Sequence, residues 1–257
     1  QAIDLFDRLF FSFSERDAIT CSDPRIPCDA SNLVAQALSQ FRARCPVPPL
    51  AIHIEKNIPI QAGLGGGSSN AATTLWALNQ LMHLPLNQER LIEMASSIGS
   101  DVPFFFSSGT SYCTGRGEIL THFSLPAPLE GFIAKPDYGL STPLVYRHAV
   151  VASQCDSLIQ LPSYPLFFND LEVSSFKLEP RLIGLRNQLK QSFGEVVMTG
   201  SGTAFFCLKG RPEPIEGVTF YPFCSLQRLH LNEWYYLRKS TTFSKSSCSD
   251  RLLSSYA

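Results

Sequence analysis

Two groups of residues in this chain have the types and spacing for chemistry on a phosphate. The first is the run Pro59, Ile60, Gln61, Ala62, Gly63, Leu64, Gly65, Gly66, Gly67, Ser68 and Ser69, in which four of five consecutive residues are glycine. Glycine accepts positive φ and carries no Cβ, so successive amides can face one concavity. The helix-forming run that follows adds unpaired N–H groups and the positive end of a helix dipole. Ser68 and Ser69 add hydroxyls. The pattern points to an anion cradle that needs no positive side chain. The alternative is a tight strand-to-helix turn without a ligand. Four glycines in five positions cost about 2–4 kcal/mol of extra chain entropy, more than turn geometry alone calls for. Gly67 is followed by serine rather than lysine, which excludes a Walker A loop. The last glycine of a dinucleotide fingerprint is missing, and a protein-kinase loop would join two strands rather than open a helix.

The second group centres on Asp101, in "IGSDVPFFF". A partly desolvated carboxylate there could accept a proton from a substrate hydroxyl, as phosphoryl transfer requires. It could equally cap a helix with Pro103 in the first turn. A further cluster, Gly200, Ser201, Gly202 and Thr203 in "TGSGTAFF", is either an ordinary hairpin turn or a second loop closing on the same phosphates. His53 and His83 stand alone, and "GRGE" (115–118) has the look of a hairpin turn.

These residues need elements to hold them. Leu50, Ile52 and Ile54 alternate with His53 and Glu55, a half-buried strand leading into the glycine run. Ala71, Ala72, Leu75, Leu78 and Met82 then mark a helical face. Leu33, Val34, Ala37, Leu38 and Phe41 have helical spacing, with Asp29 or Ser31 as the cap. "NQERLIEMASSIGSD" reads as a second helix after the loop, and "VPFFF" as a buried strand. Prolines in "SLPAPLEG" suggest a boundary. Beyond it lie a strand in "GFIAKP", a short helix in "STPLVYRHAV" capped by Ser141 or Thr142, a proline-rich connector to Pro165, a helix from Pro180, and strands flanking "TGSGT" and in "VTFYPFCSL". The expected organisation is α+β in two domains, 1–125 and 126–238, with a serine-rich flexible tail at 239–257.

A formal net charge of −1 over 257 residues gives no global attraction to nucleic acid or membrane, so an anion must be held locally. Eight cysteines without a Cys-x-x-Cys pair argue against a zinc or redox centre and for a reducing, cytoplasmic compartment.

With "PIQAGLGGGSSNAA", "GSDVPFFF", "GRGEIL", "FNDLE" (168–172) and "MTGSGTAFF" in this order, the chain resembles the GHMP kinases over residues 1 to about 238. The resemblance implies their two-domain fold, a ribosomal-protein-S5-domain-2-like N-terminal domain and a ferredoxin-like C-terminal one, with ligands in the cleft. It implies ATP with Mg²⁺ as phosphoryl donor. The motif details resemble the branch that phosphorylates the 2-hydroxyl of a cytidine-diphosphate-linked methylerythritol in the non-mevalonate isoprenoid pathway. Residues 59–69 would wrap the ATP phosphates, with Ser69 near the phosphates and Mg²⁺ and with Lys56 and Asn32 near the adenosine. Asp101 would activate the acceptor hydroxyl. Thr142 and Tyr146 would hold the cytosine, Tyr146 stacking on it in place of the more usual phenylalanine. Gly200, Ser201, Gly202 and Thr203 would close over the phosphates, Thr203 towards the acceptor. The resemblance also implies an upstream segment of roughly 30 residues, a strand hairpin or more in size. It would carry a Pro-Ala-Lys-x-Asn run and a Tyr-His pair, so the chain is expected to be N-terminally incomplete. Two alternatives stand beside this reading: another small-molecule kinase of the family, and a non-catalytic nucleotide-binding fragment lacking the upstream lysine.

Overall fold

The computed structural model describes residues 1–122, 124–149 and 167–228, with the backbone of Arg238–Lys239 and Arg251–Ser254. The chain divides into two compact units, Gln1–Ile58 with Gly65–Pro128 and Ser225–Ala257, and Pro59–Leu64 with Leu129–Cys224.

The first unit contains β1 (Arg8–Phe13), β2 (Ala18–Cys21), α1 (Leu33–Arg42), β3 (Leu50–Glu55), α2 (Gly66–Leu81), α3 (Gln88–Ile98) and the hairpin β4 (Ser111–Thr114) and β5 (Ile119–His122). β3 lies between β1, antiparallel to it, and β2, parallel to it. Its alternation buries Leu50, Ile52 and Ile54 on one face, opposite the buried Leu9 and Phe11 of β1. These side chains share a core with Phe41 of α1, Leu75 and Leu78 of α2 and Met94 of α3. Full burial of side chains of this size stabilises by about 1.5–3 kcal/mol each.

Three local expectations are corrected. The cap of α1 is Asn32, whose Oδ1 accepts from the Val34 N–H at 2.9 Å. Asp29 instead closes a turn onto Ser31. Helix α2 is buried all round from Ser69 to Asn79 rather than along one stripe. Its small residues permit this, and Thr73 and Thr74 return their hydroxyls to the Ser69 and Asn70 carbonyls. Residues Pro103–Phe106 form a 3-10 turn, not a strand. Pro103 sits in its first turn, where its missing N–H has no partner to lose.

The second unit holds β6 (Glu130–Pro136), α4 (Thr142–Arg147), α5 (Leu171–Leu178), α6 (Arg181–Ser192), β7 (Phe193–Met198), β8 (Phe205–Gly210) and β9 (Val218–Cys224). Its antiparallel sheet runs β7-β8-β6-β9. That is the strand order of a ferredoxin-like β-α-β-β-α-β unit, with a loop in place of the helix between β8 and β9. Phe205, Met198, Leu182 and Leu189 fill the core between the sheet and α6. Helix α5 has no counterpart among the sequence expectations.

Two later strands, β10 (Arg238–Lys239) and β11 (Arg251–Ser254), extend the first sheet, β11 pairing with β1. The rest of 239–257, and most of the proline-rich connector before Pro165, lie outside the described residues.

Candidate active site

The glycine run is divided between the units, residues 59–64 in the second and Gly65 onward in the first. In the first unit its three glycines are built for different reasons. Gly65 is the N-cap of α2 and has φ +67, a left-handed conformation that excludes most side chains. The Phe105 ring lies 3.3 Å from where a Gly65 Cβ would stand. A Cβ on Gly66 would stand 3.0 Å from the Lys56 ammonium nitrogen. Gly67 is different. It is exposed, and its nearest neighbour would be Leu33 Cδ1 at 3.4 Å, an ordinary contact. Packing therefore accounts for Gly65 and Gly66 but not for Gly67, a helical glycine that costs about 1 kcal/mol relative to alanine. What its bare backbone offers is access to the first N–H groups of α2, which have no intrahelical partner.

Lys56 is placed by a residue that sequence reasoning passed over. Asp7, fully buried just before β1, accepts from Lys56 Nζ at 2.6 Å and from Asn70 Nδ2 at 2.9 Å through one oxygen. Through the other it accepts from the backbone N–H groups of Asn57 and Ile58 at 2.7 and 2.8 Å. No sequence signal marks this, because the partners lie 49 to 63 positions away.

Asn32 lies at the head of α1, next to Leu33 and hence close to Gly67. Its side chain is engaged at both ends, by the cap and by a 2.6 Å bond to the Pro27 carbonyl. Of the two serines, Ser69 is 1% exposed and donates to the Gly66 carbonyl. Ser68 is half-buried and its hydroxyl makes no hydrogen bond among the described residues.

Asp101 lies in the segment between α3 and the 3-10 turn. Four residues later Phe105 lies under Gly65, so Asp101 is within about 8–14 Å of that contact along the chain. The "GRGE" turn of the β4–β5 hairpin also packs on it, a Gly117 Cβ standing 3.8 Å from its Oδ1. The carboxylate accepts no hydrogen bond among the described residues. Neighbouring atoms desolvate it and push its pKa above the usual aspartate value, although the residue as a whole keeps an exposed surface. A proton-hungry carboxylate with open lone pairs is what a general base requires. His53, by contrast, is exposed and shares a hydrogen with Thr20.

In the second unit the other half of the run meets "TGSGT". Gly63 has φ +74, and a Cβ on it would overlap the Thr199 carbonyl; one on Gly202 would overlap the backbone of Ala62 and Gly63. Thr199 Oγ1 donates to the Ala62 carbonyl, and the Thr203 N–H to that of Gln61 at 3.3 Å. Gln61 itself has φ 53. Thr203 is fully buried, its hydroxyl donating to the Tyr138 carbonyl at 2.9 Å. The buried Lys135 donates to that same carbonyl at 2.7 Å. Ser201 Oγ donates to Thr142 Oγ1 at 2.9 Å, joining this turn to the head of α4. Tyr146, one turn on, is 60% exposed.

Sequence reasoning gave "FNDLE" no physical role. Asn169 Nδ2 donates to the carbonyls of Met198 and Gly200 at 2.8 and 2.7 Å, and Glu172 accepts from the Met198 N–H at 2.9 Å. The motif clamps the turn at 199–203.

A glycine-fronted helix terminus with a lysine beside it, and a desolvated aspartate near the turn that packs on Gly65, are features expected of a GHMP kinase. The family description "GHMP kinases N terminal domain" matches residues 32–109, the stretch that carries all of these except Asp7. The 4-diphosphocytidyl-2-C-methyl-D-erythritol kinase of Protochlamydia amoebophila (strain UWE25) is 47% identical over 212 residues, covering 81% of this chain and 74% of the relative. The chloroplastic enzyme of that name from Oryza sativa subsp. japonica is 36% identical over 260 residues, covering 91% and 65%. A crystal structure of a 4-(cytidine 5'-diphospho)-2C-methyl-D-erythritol kinase superposes with TM-score 0.66 at 28% identity over 87% of each chain. The chain belongs to the 4-diphosphocytidyl-2-C-methyl-D-erythritol kinase family.

Proposed function

We infer that this protein is an ATP-dependent kinase that phosphorylates the 2-hydroxyl of 4-diphosphocytidyl-2-C-methyl-D-erythritol, a step of the non-mevalonate route to isopentenyl diphosphate. Within a chain of this family, the observation that carries the site reading is Gly67, an exposed helical glycine that no packing explains. It supports a phosphate seated on the first turn of α2, where N–H groups and helix dipole favour negative charge. Lys56 adds a fixed positive charge at Gly66 and, with Asn32 at the head of α1, borders the rest of the nucleotide.

Asp101 takes the proton from the acceptor hydroxyl as the oxygen attacks the γ-phosphorus. Its open lone pairs and raised pKa support that role. Thr142 and Tyr146 recognise the cytosine, the exposed Tyr146 ring offering a stacking face. In the second unit, Gly200, Ser201 and Gly202 form a small-residue turn whose backbone suits a phosphate contact, with Thr203 holding the turn from behind. No cluster of three or more His, Cys, Asp or Glu among the described residues could hold a metal ion. Ser69, expected beside the ion, instead donates to the Gly66 carbonyl; the half-buried Ser68 hydroxyl fits a Mg²⁺ carried chiefly by phosphate oxygens, as this ion prefers. When bound it would neutralise charge on the transferring group.

The cysteines of the first and second cores, Cys45 and Cys207, serve as small buried residues, which supports a reducing, cytoplasmic setting. No helix among the described residues is long and apolar enough to cross a membrane.

The test is ADP release with diphosphocytidyl-methylerythritol, homoserine and mevalonate offered as separate acceptors. Turnover with the first alone is expected. Turnover with another acceptor alone would replace this reading by a different kinase of the family, and nucleotide binding without any turnover would favour a non-catalytic module.

A further inference from the structure

We propose that Asp7 is a positioning residue of the nucleotide site, holding the Lys56 ammonium against the first turn of α2 so that it can meet a phosphate. The proposal rests on the reading of α2 as the phosphate-binding helix. It adds a residue that lies in none of the sequence motifs.

A buried carboxylate is costly unless fully hydrogen-bonded. Among the described residues Asp7 accepts four donors, which matches the capacity of its two oxygens. They come from the end of β3 and from α2, so one side chain fixes both the strand that leads to the glycine run and the helix that follows it. A neutral side chain could have stapled these elements. The retained charge has a further consequence, because it sets the position of a second charge. Lysine is a flexible four-carbon arm that normally carries its ammonium into water. Here the side chain is only 7% exposed. Nζ gives one of its three N–H donors to Asp7 and spends no other among the described residues. Two donors therefore remain, beside the Cβ-free surface at Gly66.

A purely structural Asp7 makes the opposite prediction. It would only neutralise Lys56, and its removal would leave a barer cation with equal or greater attraction for phosphate.

The experiment is calorimetric titration of the protein with magnesium adenylyl imidodiphosphate, for the wild type, Asp7→Asn, Lys56→Gln and the double variant, each with a thermal midpoint to verify folding. Each single change is expected to weaken binding about tenfold, and the double change to weaken it little further, because both remove the same placed ammonium. Unchanged or tighter binding by a folded Asp7→Asn protein, or losses that multiply in the double variant, would overturn the proposal and leave the kinase reading intact. Failure of the wild type to bind the nucleotide would overturn both. If Asp7→Asn does not fold, Asn70→Ala decides, since it removes one donor to the same carboxylate oxygen. A loss of about threefold that disappears in the Lys56→Gln background supports the proposal, and unchanged affinity overturns it.

Discussion

Gly202 packs directly on the backbone of Gly63, with no room for a Cβ at either position. The glycines of the run thus serve two purposes, close approach of two loops at Gly63 and an open helix terminus at Gly67. Gly202→Ala would force backbone apart, because the atoms it meets cannot rotate away. Overpacking of this kind costs about 1–3 kcal/mol. The expected outcome is a thermal midpoint lower by several degrees with a raised KM for ATP. A midpoint within error of the wild type would show that the two loops are not packed as described.

Gly184 is the control. It lies in α6 with nothing within 4 Å of its Cβ position. Gly184→Ala should stabilise the protein by about 0.5–1 kcal/mol through helix propensity, without changing turnover. Chemical denaturation reads the difference directly.

Asn169 holds the carbonyls of Met198 and Gly200. Asn169→Ala leaves both without that donor, a loss of about 1–3 kcal/mol where the groups stay shielded from water. The change should act on the turn at 199–203. Hydrogen exchange in that peptide is expected to rise while exchange in α1 and β3 stays unchanged. Uniform loss of protection would mean that the motif supports the whole fold instead.

Asp101 links stability to pH. Desolvation raises its folded-state pKa above the unfolded value, so the folded protein holds the proton more tightly. This contribution favours the folded state below the unfolded pKa and is lost as pH rises through the folded one. Asp101→Asn, which mimics the neutral form, should therefore melt at or above the wild-type temperature at neutral pH, with the gap closing in acid below the ordinary aspartate range. A wild type more stable than the variant at neutral pH, with the order reversed in acid, would indicate a carboxylate stabilised by a partner.

The sequence was most informative where structure is local. β3 alternates because one face meets the core, and α3 starts after Asn87, whose side chain accepts from the Arg90 N–H. The glycine run and Asp101 stand out in the sequence because bare backbone and a lone carboxylate leave marks in residue type. "VPFFF" misled because three aromatics in a row suit a strand, whereas Pro103 opens a turn that buries Phe105 and Phe106 and leaves Phe104 half-exposed. Helix α5 went unseen because it is eight residues long and buries Ser174 and Ser175 rather than an apolar stripe. The hidden supports, Asp7 under Lys56 and Asn169 under Gly200, depend on residues distant in sequence, and no period or motif encodes those pairings.

A phosphate-binding helix and a base that activates an acceptor hydroxyl would together make this protein a kinase. That pairing is tested most directly by phosphorus NMR of the products formed from ATP and diphosphocytidyl-methylerythritol, for the wild type and Asp101→Asn side by side. A new phosphomonoester on the 2-hydroxyl is expected with the wild type, and a rate lower by about 10²–10⁴ with the variant at unchanged nucleotide affinity. Equal rates for the two proteins, or a phosphate on a different hydroxyl, would contradict it.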